Sequence, residues 1–294
     1  MRRFTHFAIA IGLCSACVLA GPSPAPARAQ RPTSGGDVVP RAYLPITIGG
    51  SDARSTNCPM TSTNVYDIIP IEDGYYKDNR ITDENPDFRL SILGYARVDN
   101  EPLDLVNYNG GTDPNAPRLY GVFRPQRRPR FTAAYLNYQW DWNDGPGSAP
   151  PYGSRGPLNN DSLFRVTVLD FEVTPGEVIH IPERSVPIYG GNVVAMVLYA
   201  SENELTITYT RHDAVYLPGG IYVVHLLNFC VDPQLVAAYR AQLNGGKRST
   251  GKLPAIRNDQ PVGMAHGNSL TVAIRDTARF MDPRLRKDWW QGIP

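Results

Sequence analysis

Beyond its apolar leader this chain holds four histidines, His180, His212, His225 and His266, the side chains best suited to moving a proton near neutral pH or ligating a metal. Their spacing gives no His-x-His, His-Glu-x-x-His or His-x-x-x-His, and no Cys-x-x-Cys follows Cys17, so no ready-made metal motif is present. The order does offer His212-Asp213 after one strand-like segment and His225 on the next. In neighbouring strands His212 or Asp213 would approach His225, and the three would form a metal or acid–base site. The competing reading is histidines satisfied by local hydrogen bonds. His180, between Ile179 and Ile181, would face away from both on a strand. No Gly-x-Ser-x-Gly positions a nucleophilic serine. Asp170 and Glu172 share a strand face, but a retaining glycosidase needs carboxyls ~5 Å apart on flanking positions, which that spacing does not argue.

Two further groups could meet a ligand. Tyr138, Trp140 and Trp142 fall on one face of a strand and read either as a sugar-stacking platform or as ordinary core. Arg124, Arg127, Arg128 and Arg130 cluster beside prolines and read either as a contact for an anionic wall polymer or as a solvated loop.

The elements that must position these residues are mostly strands. Residues 89–95, 131–136, 164–171, 193–199, 205–210, 221–227 and 270–274 are apolar or alternate apolar with polar. Proline (27) and glycine (26) supply frequent turns, and tyrosine (16) outnumbers phenylalanine (9), a balance that suits β-structure with a hydrated surface. One segment has helical spacing: Leu235, Val236, Tyr239 and Leu243 fall on one side, Asp232-Pro233 is a cap followed by a first-turn proline, and Asn244-Gly245-Gly246 ends it.

The leader places the chain. Arg2 and Arg3 precede an uncharged stretch from Phe7 to Ala20, and Ala27-Arg28-Ala29 fits an A-x-A cleavage site, the three-part order of a secretory signal peptide. The apolar run is shorter than the ~20 residues a membrane span needs, so residues 1–29 read as a cleaved leader, and no second run is long enough to span. About 265 residues remain, with Cys58 and Cys230 as an even pair that an oxidising compartment would bridge; two buried free thiols are the alternative. Residues 30–56 read as a Pro/Gly/Ser-rich linker, 57–182 as a first β-rich region and 183–294 as a second. With 29 basic against 28 acidic side chains there is no surplus to collect phosphates, which argues against nucleic acid as a partner.

The second region resembles the lysostaphin/LytM-type peptidoglycan endopeptidases. Pro187-Ile188-Tyr189 before the 193–199 segment resembles that family's entry into its central sheet, and Gly220-Ile221-Tyr222-Val223-Val224-His225-Leu226 its Tyr-Ala-His-Leu strand. Asn258 to Gly263 resembles its Gly-Gln-x-Ile-Gly turn, Ser269 to Arg275 the strand bearing its His-x-His, and Met281-Asp282-Pro283 its closing Val-Asp-Pro. The likeness covers about a third of the chain. With Leu105-Val106-Asn107-Tyr108, Thr112-Asp113-Pro114 and the tail Phe280 to Trp290, whose adjacent Trp289 and Trp290 read as docked on the body or as an exposed partner-binding element, the chain as a whole also resembles secreted proteins of filamentous phototrophic bacteria, which implies no activity. Family enzymes hold zinc with a histidine, an aspartate four residues later and the second histidine of His-x-His, three donors with a fourth position open to water. The matching positions here are Pro175, Ile179 and Thr271, with Ser269 at the other His-x-His position; His225 alone is retained, where the family uses it to assist catalysis.

The resulting expectation is an all-β protein: a sandwich or jelly-roll-like N-terminal region packed on a LytM-like (duplicated hybrid motif) β-lobe with one short helix, bridged by Cys58–Cys230. Its function would be non-catalytic binding or scaffolding at the cell envelope, secreted or surface-associated, with a cell-wall polymer or envelope protein as partner and no cofactor. The alternatives are a zinc-dependent peptidoglycan or peptide hydrolase with His225, His212 and Asp213 as relocated catalytic residues, or a surface structural subunit.

Overall fold

A computed structural model describes residues 58–72, 78–144 and 152–293. The leader, the linker and most of a Gly/Pro-rich stretch, residues 144–156, lie outside the described residues. In chain order the strands are β1 Asp67–Pro70, β2 Tyr95–Arg97, β3 Phe131–Asp141, β4 Ser154–Leu158, β5 Val168–Glu172, β6 Val178–Ile179, β7 Val193–Ala200, β8 Glu204–Thr208, β9 Tyr222–Leu227, β10 Phe229–Val231, β11 Leu243–Asn244, β12 Lys247–Arg248, β13 Lys252–Arg257, β14 Gly263–Ala265, β15 Ser269–Asp276 and β16 Arg279–Met281. The α-helices among the described residues are α1 Leu90–Leu93, α2 Pro233–Arg240 and α3 Arg286–Trp289, with short 3-10 turns at Thr82–Glu84 and Leu119–Val122. The fold is all-β with short helices, as the turn density and alternation imply.

Eleven strands make one antiparallel sheet in the order β1-β13-β7-β8-β9-β15-β5-β3-β2, with β16 added to β15 and β4 to β3. Strands from both sides of the expected 182/183 boundary interleave. β5 pairs with β15 from Glu172 opposite Ser269 to Val168 opposite Ala273, and β1 pairs with β13. No seam in the sheet separates an N-terminal region from a C-terminal lobe. The Cys58–Cys230 disulfide is formed, with Cα atoms 5.4 Å apart, and it ties the segment before β1 to β10.

Alternation divides the sheet into two unlike faces. Leu205, Ile207, Val224, Leu226, Leu270, Val272, Ile274, Leu169 and Phe171 point to one side and form the main core. Leu235, Val236 and Tyr239 of α2 join them. So do Trp289 and Trp290, whose indole nitrogens donate to the Asp282 and Pro283 carbonyls at 2.9 and 2.8 Å. Asp232 caps α2 as its position before Pro233 implies, accepting from the amides of Gln234 and Leu235.

Two expected strands are corrected. Residues 90–93 are helical because Leu90 and Leu93, three apart, both turn inward, and Gly94 then closes the turn at φ 78°. A Cβ at Gly94 would lie 2.6 Å from the Arg155 guanidinium, so a side chain there would displace that arginine, but it is the positive φ that calls for glycine. Phe164 and Val166 are buried as their alternation suggests, but pairing begins only at Val168.

Candidate functional site

The opposite face of the sheet is polar, and it carries His225 on the central strand β9. Thr206 lies opposite His225, His225 opposite Ala273, and Ala273 opposite Val168. One row along, Glu204, Leu227, Thr271 and Asp170 align. A polar face of an antiparallel sheet ordinarily meets water. Here residues 87–93 cover it: Thr206 donates its hydroxyl proton to the Phe88 carbonyl at 2.6 Å. Ser91 donates its amide and hydroxyl to the two Glu204 oxygens at 3.1 and 2.6 Å. Arg89 pairs with Glu204 at 3.3 Å and Arg275 with Asp87 at 3.0 Å. Glu204 is 1% exposed, and burial raises its carboxyl above the usual range against the pull of Arg89 and Ser91.

His225 is wholly enclosed, at 0% exposure. Its Nδ1 is 2.9 Å from the Thr206 oxygen, and the Phe280 ring stacks on it at 5.8 Å between centroids. Its Nε2 has no hydrogen-bond partner among the described residues. Leu90, Leu93, Val168, Leu227 and Ala273 share the same small apolar cluster with Phe280. Burial, with the positive Arg275 second, holds the imidazole well below its ordinary pKa, so the ring is neutral at physiological pH.

The expected companions of His225 go elsewhere. Asp213 is buried against Arg248 at 3.4 Å, and His212 lies in the bend beyond β8, its amide bonded to Thr210. β8 and β9 pair from Glu204–Leu227 to Thr208–Val223, so His225 faces Thr206, six residues short of His212. Among the described residues no three His, Cys, Asp or Glu side chains group closely enough to hold a metal ion, so His212, Asp213 and His225 do not make one centre. Of the zinc positions implied by the family resemblance, Ile179 is a core side chain, and Thr271 donates to Asp170 at 2.6 Å while accepting from Asn228 at 2.7 Å. Tyr135 donates to the other Asp170 oxygen at 2.8 Å, and burial with the Asp170 charge pushes the nearby Tyr95 hydroxyl up to about 12. His180 is buried, and desolvation with Arg124 lowers its pKa.

The sequence did not single out Thr206, Glu204 or Ser91, and it marked Thr271 only as a position where the family resemblance lacks its zinc ligand. Alternation around Leu205 and Ile207 marked a polar strand face, but nothing local marked residues 87–93, more than 100 positions away, as its cover. The arginine cluster is internally answered: Arg127 pairs with Glu177 at 2.7 Å, Arg128 with Asp104 at 2.8 Å, Arg130 with Glu172 at 2.8 Å and Arg124 with Glu183 at 3.7 Å. An anionic polymer there would compete with carboxylates already in place. Trp140 packs partly into the cluster under α1 and donates to the Tyr152 carbonyl, while Arg80 stacks over Trp142 at 4.1 Å and Arg155 lies 5.1 Å from the Tyr138 ring, so among the described residues the three rings already have partners.

Open concavities lie away from His225. One of about 490 Å³ adjoins the disulfide between Ser62, Asn64, Asp232 and Met264, and its Asp232 carboxylate already accepts from Ser62 and Asn64. Another of about 400 Å³ lies at the start of β9. No protein-family model, no curated protein and no solved structure matches this chain.

Proposed function

We propose that this chain is an exported, non-catalytic LytM-like module that binds or scaffolds at the cell envelope, in which the retained histidine serves the fold. The observation that carries this reading is the enclosure of His225. Its one donor goes to Thr206, and among the described residues Phe280, Leu90 and Leu93 close over it and leave it 0% exposed. A catalytic base must reach its proton directly or through one water, which this setting does not allow. The disulfide suits an oxidising compartment, and no helix among the described residues is long and apolar enough to cross a membrane.

Co-sedimentation with isolated cell walls tests the binding. Saturable association that survives His225→Gln supports the proposal. Protein that stays in the supernatant across the accessible concentration range contradicts it.

A further inference from the structure

The 400 Å³ cavity falls within the ~300–1,000 Å³ of small-ligand sites, and two of its charged groups, Arg184 and Asp276, each keep an atom without a hydrogen-bond partner among the described residues. Asp113, Arg184, Tyr222 and Asp276 line it, with Gly219 and Gly220 at the exposed rim. Asp276 accepts from the Thr277 hydroxyl at 2.9 Å through one oxygen; the other accepts from no described residue. Asp113 accepts from the Tyr222 hydroxyl and the Asn115 amide, each at 2.8 Å. Arg184 donates through Nε to Asn115 O at 2.9 Å and through Nη1 to Tyr209 O at 2.8 Å, while Nη2 donates to no described residue. None of these three charges forms an ion pair among the described residues, in contrast to the four paired arginines of the 124–130 cluster.

The groups are also held in place. Asn258 exchanges two hydrogen bonds with the Arg184 backbone, at 2.9 and 2.7 Å. Asp276 opens the tight β15–β16 turn, in which Thr277 and Ala278 take positive φ of 49° and 70°. Gly220, at φ 100°, holds a backbone conformation that side chains rarely adopt and carries nothing over the Asp276 carboxylate; a Cβ there would sit at ordinary contact distance, 3.8 Å, from its Oδ1. Such preorganisation lowers the ordering cost of binding.

The charges select the ligand. An anion would meet Asp113 and Asp276, and a lysine or arginine side chain would meet Arg184. An uncharged molecule carrying hydroxyls on adjacent carbons satisfies both signs, because each hydroxyl donates to a carboxylate and accepts from a guanidinium. Tyr222, its ring packed edge-to-face with Trp289 at 5.7 Å and its hydroxyl donating to Asp113, adds an oxygen that can accept from a ligand hydroxyl. We propose that this cavity binds a neutral sugar unit of a polysaccharide, with Asp276 and Asp113 accepting from its hydroxyls and Arg184 Nη2 donating to its oxygens. The inference rests on the envelope-binding reading and gives that reading a ligand class.

Calorimetric titration of the full chain with an N-acetylglucosamine tetrasaccharide and with a glucose tetrasaccharide tests it, against oligogalacturonate and oligolysine. One of the neutral tetrasaccharides should bind more tightly than either charged oligomer. Asp276→Ala should weaken that binding about tenfold, the loss of one charge-assisted hydrogen bond, without moving the melting temperature. Arg184→Gln should weaken it similarly. Absence of binding by both neutral probes, equal binding by Asp276→Ala, or preference for a charged oligomer would overturn the site. Wall co-sedimentation with no tetrasaccharide binding defeats this site and spares the envelope reading. Tetrasaccharide binding without co-sedimentation defeats the envelope reading and spares the site.

Discussion

Thr206 fixes the state of His225. Its single hydroxyl proton goes to Phe88 O, so the 2.9 Å contact must run from Nδ1–H to the threonine oxygen, and the lone pair sits on Nε2 beneath Phe280. Protonating Nε2 would place an unpartnered cation in that cluster beside Arg275. The folded pKa is therefore below the unfolded value, and the unfolded chain binds the extra proton first. Stability is fully present above the ordinary histidine pKa and falls as pH drops below it, by up to ~1.4 kcal/mol per pH unit. Glu204, raised by burial, contributes the opposite slope above the ordinary carboxylate range, and His180 adds a histidine slope of its own. The clean readout is thus a comparison. Between about pH 5 and 6.5, urea unfolding of His225→Gln should lose less stability on acidification than the parent chain. Equal slopes would mean that His225 is not buried neutral. Sequence spacing picked out His225 but mistook its partners, because a threonine on the adjacent strand carries no signature until register is known.

Among the elements, those with local signals were legible. Asp232-Pro233 announced α2, and the two tryptophans of the tail dock rather than face water, as their apolar area demands. The 89–95 segment was not legible, since Leu90, Ile92 and Leu93 suit a short helix or a strand equally, and long-range contacts to Glu204 decide between them. The tail and the disulfide are the long-range ties. Trp290 packs on Phe131 and Phe171 at 5.5 and 5.7 Å, so Trp290→Ala should cost ~3–5 kcal/mol in chemical denaturation. The Cys58–Cys230 bridge spans 172 positions, and loop-closure entropy makes it worth ~4–5 kcal/mol, which Cys58→Ser/Cys230→Ser should forfeit as a lowered denaturation midpoint. A fall below about 1 kcal/mol in either variant would remove that tie from the account.

Across the whole molecule, composition and alternation conveyed an all-β chain, and two cysteines conveyed the bridge. The eleven-stranded sheet was hidden because antiparallel partners such as β5 and β15 are about a hundred residues apart, and pairing register leaves no trace in either strand alone. Continuity through residues 182 and 183 implies one cooperative unfolding transition. Circular dichroism and tryptophan fluorescence should therefore report the same midpoint; separated midpoints would restore a two-part architecture.

The most direct test of a structural His225 is to supply purified full-length protein with zinc and isolated cell walls and to follow release of soluble wall fragments. The expected result is association with the walls and fragment release no faster than in protein-free controls, for the parent chain and His225→Gln alike. Zinc-dependent release that disappears with His225→Gln would contradict the account and make the enclosed histidine a catalytic residue.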